Sequence, residues 1–313
     1  MFKRPFFQES CLEDDDIIMN KHNGGFNMGK NLVLQTDFGV CDGAVSAMYG
    51  VAISVDPNLR IFDLTHEIPQ FDIWEGSYRL YQTISYWPKG TVFCSVVDPG
   101  VGTERLSVVA ETVEGQYIVT PDNGTLTHIK QDVGIRQVRE IDEKVNRLPR
   151  SGESYTFHGR DVYAYTAARL ASGVISFEEV GRELEVQDII QLDYSEPYLE
   201  AGDIVHGNID ILDVRFGNLW TNIPRELFKE AEIEYGDSLE VTIANDTQQV
   251  YKNIMTFGRS FADSHLGEPL LYVNSLDKLG VAINQGSFAN AYRIETGTNW
   301  KIIIRRAPKI VYT

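Results

Sequence analysis

The chain has 313 residues, 43% of them apolar and 23% charged, with a formal net charge of −17. That length accommodates two domains of ordinary size, each with its own core. The excess of acid argues against nucleic acid as a partner, since phosphate backbones recruit clustered Lys and Arg, but it suits a cationic small substrate. No run reaches the ~18 apolar residues of a membrane span, and the first thirty residues lack the apolar stretch of a signal peptide. Three cysteines (Cys11, Cys41, Cys94) are too few, and odd in number, for a disulfide framework. Two of them fall in elements read as core, so a reducing, cytoplasmic setting is expected.

Residues 1–30 read as an extension without a catalytic role, with Met28 directly before the first strand. From Leu32 a strand runs to Gln35 and ends in Thr36-Asp37-Phe38-Gly39. A helix is predicted from Ala44 to Val55, closed by Asp56-Pro57, then a strand from Arg60 to Leu64. The next helix, from about Ile73 to Tyr86, stops at Pro88, and Thr91 to Val97 reads as a buried strand. Strands near Ser107–Glu111 and Tyr117–Thr120 lead to a Pro121-Asp122-Asn123-Gly124 turn. After Gly159 a helix runs to Ala171, with Gly173 as its stop. This alternation predicts an α/β domain over 31–192, its sheet mostly parallel and flanked by helices.

Near residue 195 the texture changes. Asp193-Tyr194-Ser195-Glu196-Pro197 reads as a linker, and strand-like segments follow at Gly202–Val214, Ser238–Ile243, Pro269–Val273, Val281–Asn284 and Lys301–Ile304. Residues 201–313 are expected to form an all-β, barrel-like domain.

Several motifs are decoys. Asp37-Phe38-Gly39 spells a kinase triplet, but no H-R-D loop accompanies it. Gly100-Val101-Gly102 lacks the third glycine of a dinucleotide fingerprint, because Arg105 stands there. The histidines show no H-x-x-x-H spacing and no C-x-x-C exists, so no zinc site is expected.

Two stretches carry more chemistry. Val96-Val-Asp-Pro-Gly-Val-Gly-Thr-Glu-Arg105 follows a buried strand and places Asp98 where ligands bind in open α/β sheets. Phe157-His-Gly-Arg-Asp161 offers an imidazole from a second loop. Asp98, Arg105 and His158 form either an acid–base device or a proline-glycine turn beside an unrelated histidine. Asp37 is equally either a functional carboxylate or a helix cap. His66 reads most simply as structural, and Phe71 and Trp74 as core.

Taken in order, the segments resemble one family. They are T-D-F-G-x-x-D (Thr36–Asp42), D-L-T-H-x-I (Asp63–Ile68), V-D-P-G-V-G-T-x-R (Val97–Arg105) and F-x-G-R-D (Phe157–Asp161). F-G-N-L-W-T-N-I (Phe216–Ile223), S-F-A-D (Ser260–Asp263) and V-N-S (Val273–Ser275) complete the set. They are similar to the S-adenosyl-L-methionine hydroxide adenosyltransferases, relatives of the fluorinase and chlorinase enzymes. The resemblance implies an α/β domain, a β-barrel domain, and a homotrimer whose sites lie between one subunit's N-terminal domain and the next subunit's C-terminal domain.

The resemblance also implies roles. In the fluorinase a tyrosine stands where this chain has Asp98, a serine where it has Gly159, and a long loop is inserted after the Thr-Arg segment. The hydrolase branch has an Asp, an Arg seven residues later and a His, matched here by Asp98, Arg105 and His158 in the Phe157–Asp161 loop. Asp37 would hold the ribose, with Asp42 in the same loop, and Phe71 would replace a tryptophan of the pocket wall. Asp213 would meet the methionine amino group, Asn218 the adenine edge and Ser275 the methionine carboxylate, while Phe261 would stack on adenine. Ile283 takes the place of a fluorinase arginine, leaving a backbone contact there. The implied activity is hydrolysis of S-adenosyl-L-methionine to adenosine and L-methionine by attack of water at C5′, without metal or cofactor. A chlorinase and a non-catalytic sensor of S-adenosyl-L-methionine or adenosine are the alternatives.

Overall fold

The computed structural model of the protein describes residues 30–152 and 156–307. The extension, with Cys11 and Met28, lies outside the described residues apart from Lys30. The first sheet is built from β1 (Asn31–Thr36), β2 (Arg60–Thr65), β3 (Val92–Val96), β4 (Ser107–Thr112), β5 (Tyr117–Pro121), β6 (Ile135–Glu140) and β7 (Glu183–Leu184). Their order is β2-β1-β3-β5-β4-β6-β7. The β2-β1-β3-β5 half is parallel, and the three remaining pairings are antiparallel.

Helices α1 (Ala44–Val55) and α3 (Tyr165–Ser172) cover one face of this sheet, and α2 (Ile73–Ile84) covers the other. The alternation of β1 explains the layering. Leu32 and Leu34 pack with Met48 and Ala167, while Val33 points the other way, toward Leu80 and Ile84. The α2 helix begins where the Asp72 side chain accepts the Glu75 N–H at 2.8 Å. The turn before α3 (Gly159–Ala164) is wider than an α-helical one, and Gly173 closes α3 in the left-handed region at φ 73°. Cys94 is buried as expected, whereas Cys41 is exposed, because its loop lies beyond the end of β1.

The second sheet comprises β8 (Tyr198–Glu200), β9 (Ile204–Leu212), β10 (Leu219–Pro224), β11 (Ser238–Ala244), β12 (Gln249–Phe257), β13 (Pro269–Val273), β14 (Lys278–Ile283) and β15 (Gly297–Arg306). Seven of these strands close on themselves, because β10 pairs with both β14 and β9. β8 adds to the outside of β9. Closure removes the free edges a seven-stranded open sheet would present, and Val205, Ile209, Leu239, Val241, Leu271, Val281 and Ile302 fill the interior.

The two sheets meet at α2 and β9. The Trp74 indole Nε1–H donates to the Asp210 carbonyl at 2.7 Å, and Arg79 Nη2 donates to the Leu212 carbonyl at 2.9 Å. Beside them lies a buried polar cluster. Lys278 Nζ is 3.3 Å from Asp132 Oδ1 and sits 4.7 Å from the Tyr81 ring centre. Asp210 is 1% exposed, and neither of its carboxylate oxygens meets a hydrogen-bond donor among the described residues. Burial, with Asp132 adding, pushes its pKa up to about 7 against the pull of Lys278. Burial also holds His128 down at about 3, and its Nδ1 lies 2.9 Å from Ser77 Oγ.

Candidate active site

The strand order creates the first half of the site. The chain leaves β1 for β2 on one side and later returns to β3 on the other, so β1 and β3 flank a topological switch point. Ligands of open α/β sheets bind outside the carboxyl ends of the strands at such a point. Thr36 pairs with Val96 there, which brings the loops carrying Asp37 and Asp98 side by side.

Asp98 follows the end of β3, and the backbone reverses as Val101 N–H donates to the Asp98 carbonyl at 3.3 Å. Thr103 Oγ1 donates to the Gly100 carbonyl at 2.7 Å, and the loop delivers Arg105 just before β4. The guanidinium then grips Asp98 with two parallel hydrogen bonds, Nε to Oδ1 at 2.6 Å and Nη2 to Oδ2. Both side chains are almost excluded from solvent, at 9% and 5% exposure. Behind them Arg105 Nη1 donates to Ser107 Oγ at 3.3 Å, and Ser107 Oγ lies 3.0 Å from the Tyr163 hydroxyl. Burial works against the Arg105 charge, but its bonds to Asp98 outweigh it and the pKa stands above the ordinary value.

His158 is buried at the start of the wide turn leading to α3. Burial holds its imidazole below the usual value, with Arg147 and Arg105 acting the same way and Glu143 and Asp98 opposing. The ring is therefore neutral at pH 7.

Asp37, Asp42, Phe71, Asp98, Phe157, His158 and Gly159 line one cleft of about 310 Å³. Arg105 does not line it. It faces a neighbouring groove with Glu104, Glu140, Asp142 and Glu143, and reaches the cleft through Asp98. Asp37 is not a helix cap: α1 starts after Gly43, and it is Asp42 that accepts the Ala44 N–H, at 2.9 Å. Instead Asp37 Oδ2 accepts the Phe71 N–H at 2.9 Å. That bond holds Phe71 in the left-handed region at φ 67°, with its ring 63% exposed at the rim and not in the core. Trp74 packs at the inter-sheet contact described above.

Gly159 is tightly packed. A Cβ there would come within 3.0 Å of two ring atoms of Phe38, which itself meets Phe157 edge-on at 5.8 Å. Gly159→Ser is therefore expected to shift the Phe38 ring and to lower stability by about 1–3 kcal/mol, the usual cost of overpacking, read as a lower melting temperature. An unchanged melting temperature would contradict the packing argument.

Asp213, Asn218, Phe261, Ser275 and Ile283 line a second cleft, of about 970 Å³, at one end of the barrel. Asp213 and Asn218 bracket a turn closed by Asp213 N–H to the Asn218 carbonyl at 2.9 Å and Gly217 N–H to the Asp213 carbonyl at 2.7 Å. Gly217 is left-handed, at φ 67°, and any Cβ would strike Ser287. Trp220, Tyr272 and Phe216 also line this cleft, with the Trp220 indole donating to the Tyr272 hydroxyl at 2.9 Å and Phe261 5.2 Å from the Tyr272 ring. Burial pushes the Tyr272 hydroxyl up to about 12, so it stays protonated. Sequence reasoning names Phe261 in this wall but misses Trp220, Tyr272 and the cations Arg215 and Arg259. Trp220 lies inside the F-G-N-L-W-T-N-I segment and Tyr272 directly precedes V-N-S, so both were within reach of the motifs.

Apart from Arg105, the expected residues therefore fall into two groups on two clefts that share no lining residue. Among the described residues no group of three or more His, Cys, Asp or Glu side chains has metal-holding geometry, and no helix is long and apolar enough to cross a membrane.

Comparison with known proteins accounts for both halves. Residues 32–181 match the SAM hydroxide adenosyltransferase N-terminal domain, and residues 207–301 match the C-terminal domain of the same family. The chain belongs to the SAM hydroxide adenosyltransferase family. The (R)-S-adenosyl-L-methionine hydrolase of Methanocaldococcus jannaschii is 37% identical over 216 residues, covering 68% of this chain and 73% of that protein. A fluorinase of an Actinoplanes species is 29% identical over 85% of this chain and 95% of its own length. Among solved structures, an uncharacterized conserved protein from Thermotoga maritima superposes with a TM-score of 0.78 at 33% identity, over 88% of this chain and all of that one. Members of the SAM hydroxide adenosyltransferase family thus include both water and halide chemistry by name, and the residues of the first cleft bear on which applies.

Proposed function

We propose that this protein hydrolyses S-adenosyl-L-methionine to adenosine and L-methionine. The observation that carries the reading is the buried Asp98–Arg105 pair at the head of the first cleft, with the neutral His158 lining the same cleft. The water oxygen attacks C5′ in line with the sulfonium. The C5′–S bond breaks, its electron pair stays on sulfur, and methionine leaves as a neutral thioether that needs no protonation. The demanding partner is water, with a pKa of about 15.7 when free.

Arg105 lends positive charge that favours hydroxide character, while Asp98 holds the guanidinium in place and attracts the cationic substrate. Both Asp98 oxygens are engaged by Arg105, so the His158 imidazole is the base that takes the water proton. No cofactor takes part in this scheme. A halide would find neither a tyrosine nor a serine hydroxyl where Asp98 and Gly159 stand, and would lose hydration without replacement.

The second cleft supplies the recognition surface. Phe261 with Trp220 and Tyr272 offers aromatic faces to adenine, and Asp213 and Ser275 are polar groups for the methionine amino and carboxylate ends. The two clefts form one site when copies assemble as a homotrimer, the first cleft of one subunit facing the second cleft of its neighbour. Exposed apolar side chains at both rims favour this arrangement: Val40, Phe71 and Val101 beside one, Val214 and Phe216 beside the other. The exposed free thiol of Cys41 and the buried one of Cys94 suit a reducing cytoplasm.

Incubation with S-adenosyl-L-methionine, with and without chloride, followed by chromatography tests the reading. Adenosine and methionine in equal amounts are expected in both. A 5′-chloro-5′-deoxyadenosine peak would make the protein a halogenase, and adenosine binding without turnover would make it a sensor.

A further inference from the structure

The D-L-T-H segment has no place in the mechanism above, yet it builds a hydrogen-bond chain from α1 to the loop that carries Asp37. The Tyr49 hydroxyl donates to both Asp63 carboxylate oxygens, at 2.5 and 2.6 Å. Asp63 Oδ1 lies 2.9 Å from His66 Nε2, and His66 Nδ1 lies 2.8 Å from Thr36 Oγ1. Thr36 Oγ1 in turn accepts the Phe38 N–H at 3.2 Å, and the His66 carbonyl accepts the Gly39 N–H at 2.8 Å.

Proton bookkeeping gives the chain a direction. The Asp63 carboxylate can only accept, so His66 Nε2–H donates to it, and the neutral ring then accepts the Thr36 hydroxyl at Nδ1 while Thr36 Oγ1 accepts the Phe38 N–H. The connectivity is that of a hydroxyl–imidazole–carboxylate triad, but Thr36 is fully buried and His66 is 4% exposed. Such a buried hydroxyl cannot reach a substrate. What the chain does reach is the backbone on both sides of Asp37: Thr36 before it, Phe38 and Gly39 after it.

We propose that His66 is a positioning residue, fixing the Asp37 loop so that the carboxylate meets the ribose hydroxyls of the nucleoside. This rests on the reading of the first cleft as an adenosyl site. Asp37 Oδ2 is already held by Phe71 N–H, so the carboxylate is oriented from its own tip and, through His66, from its backbone. A packing histidine would affect every ligand of the cleft alike; a positioning one affects only the ribose contact.

The test is calorimetric binding of adenosine and of 2′,3′-dideoxyadenosine to the full chain and its variants. The native protein is expected to prefer adenosine by about 50-fold, the loss of hydrogen bonds to a charged group being that large. In Asp37→Ala the preference should vanish. In His66→Ala it should fall to about fivefold with dideoxyadenosine affinity unchanged. A native-like ratio in a folded His66→Ala overturns the proposal. Should that variant fail to fold, Tyr49→Phe removes only the outer hydroxyl and is read the same way: a ratio lowered at least about twofold supports the chain, and an unchanged ratio overturns it. If the native protein already fails to distinguish the two nucleosides, the adenosyl reading falls and the His66 role falls with it, a result seen before any variant is made.

Discussion

Arg105→Ala is expected to lower the kcat for S-adenosyl-L-methionine by about a thousandfold, within the range a lost acid–base device costs, while adenosine affinity changes by less than about threefold. The split follows from the geometry. Arg105 does not line the first cleft, so removing it takes away no direct contact there. It does leave Asp98, 5% exposed, without the two hydrogen bonds that stabilise its charge. In the proposed hydrolysis the cleft then loses the cation that favours hydroxide character in the attacking water. Arg105→Lys keeps the charge but not the two-pronged grip, and should fall between the two. Steady-state kinetics with parallel nucleoside calorimetry measure both quantities. A parental rate in Arg105→Ala would remove the ion pair from the mechanism.

Lys278→Met is expected to be the most destabilising single change at the inter-sheet contact, by about 3–5 kcal/mol, because it strands the buried Asp210 carboxylate without its neighbouring cation and removes the ion pair to Asp132. Burial works against the Lys278 charge, but Asp132 and Asp210 more than offset this and hold its pKa above the ordinary value. The loss should depend on pH. Asp210 has a folded pKa of about 7, above its ordinary 3.8. A carboxyl raised on folding binds its proton more tightly in the folded state, so its contribution is favourable at low pH and is lost as pH rises toward 7. At pH 5 Asp210 is protonated and misses Lys278 little; at pH 8 it is ionised and misses it fully. Urea denaturation at the two values should therefore show a larger deficit for Lys278→Met at pH 8. A larger deficit at pH 5 would contradict the assignment of Asp210 as the buried acid.

What could be read from sequence follows from how each element is buried. The strands β1 and β3 are buried throughout because both faces are covered, and each carries an apolar run (Leu32–Leu34 and Val92–Cys94); α1 and α2 are bounded by Asp56-Pro57 and Pro88. β6 and β12, by contrast, mix charged and polar residues with apolar ones because they are only partly covered, and neither stood out. Strand direction is legible in one place. Only Val113 to Gln116 separate β4 from β5, with Gly115 left-handed at φ 91°, and a connection that short permits only an antiparallel pair.

The site divides in the same way. Asp37, Asp98 and His158 stand at strand and helix ends, where sequence patterns point. That Arg105 acts from behind Asp98 depends on a loop closing through space, which spacing alone does not reveal. Asp37 looked like a cap because a carboxylate before a helix commonly is one; five residues further on, Asp42 serves that end. The partition of the remaining residues between two clefts depends on barrel closure, in which β10 pairs locally with β9 and at long range with β14.

The contact of Trp74 and Arg79 with β9 has a consequence for which positions are free to drift. Both side chains read main-chain carbonyls, those of Asp210 and Leu212, and every residue type offers the same carbonyl. The grip on this strand is therefore indifferent to what the strand spells. Substitutions along β9 leave the joint intact, so long as the helix keeps its indole and its guanidinium. At this contact the constraint falls on two residues of α2, and the strand is left free to vary.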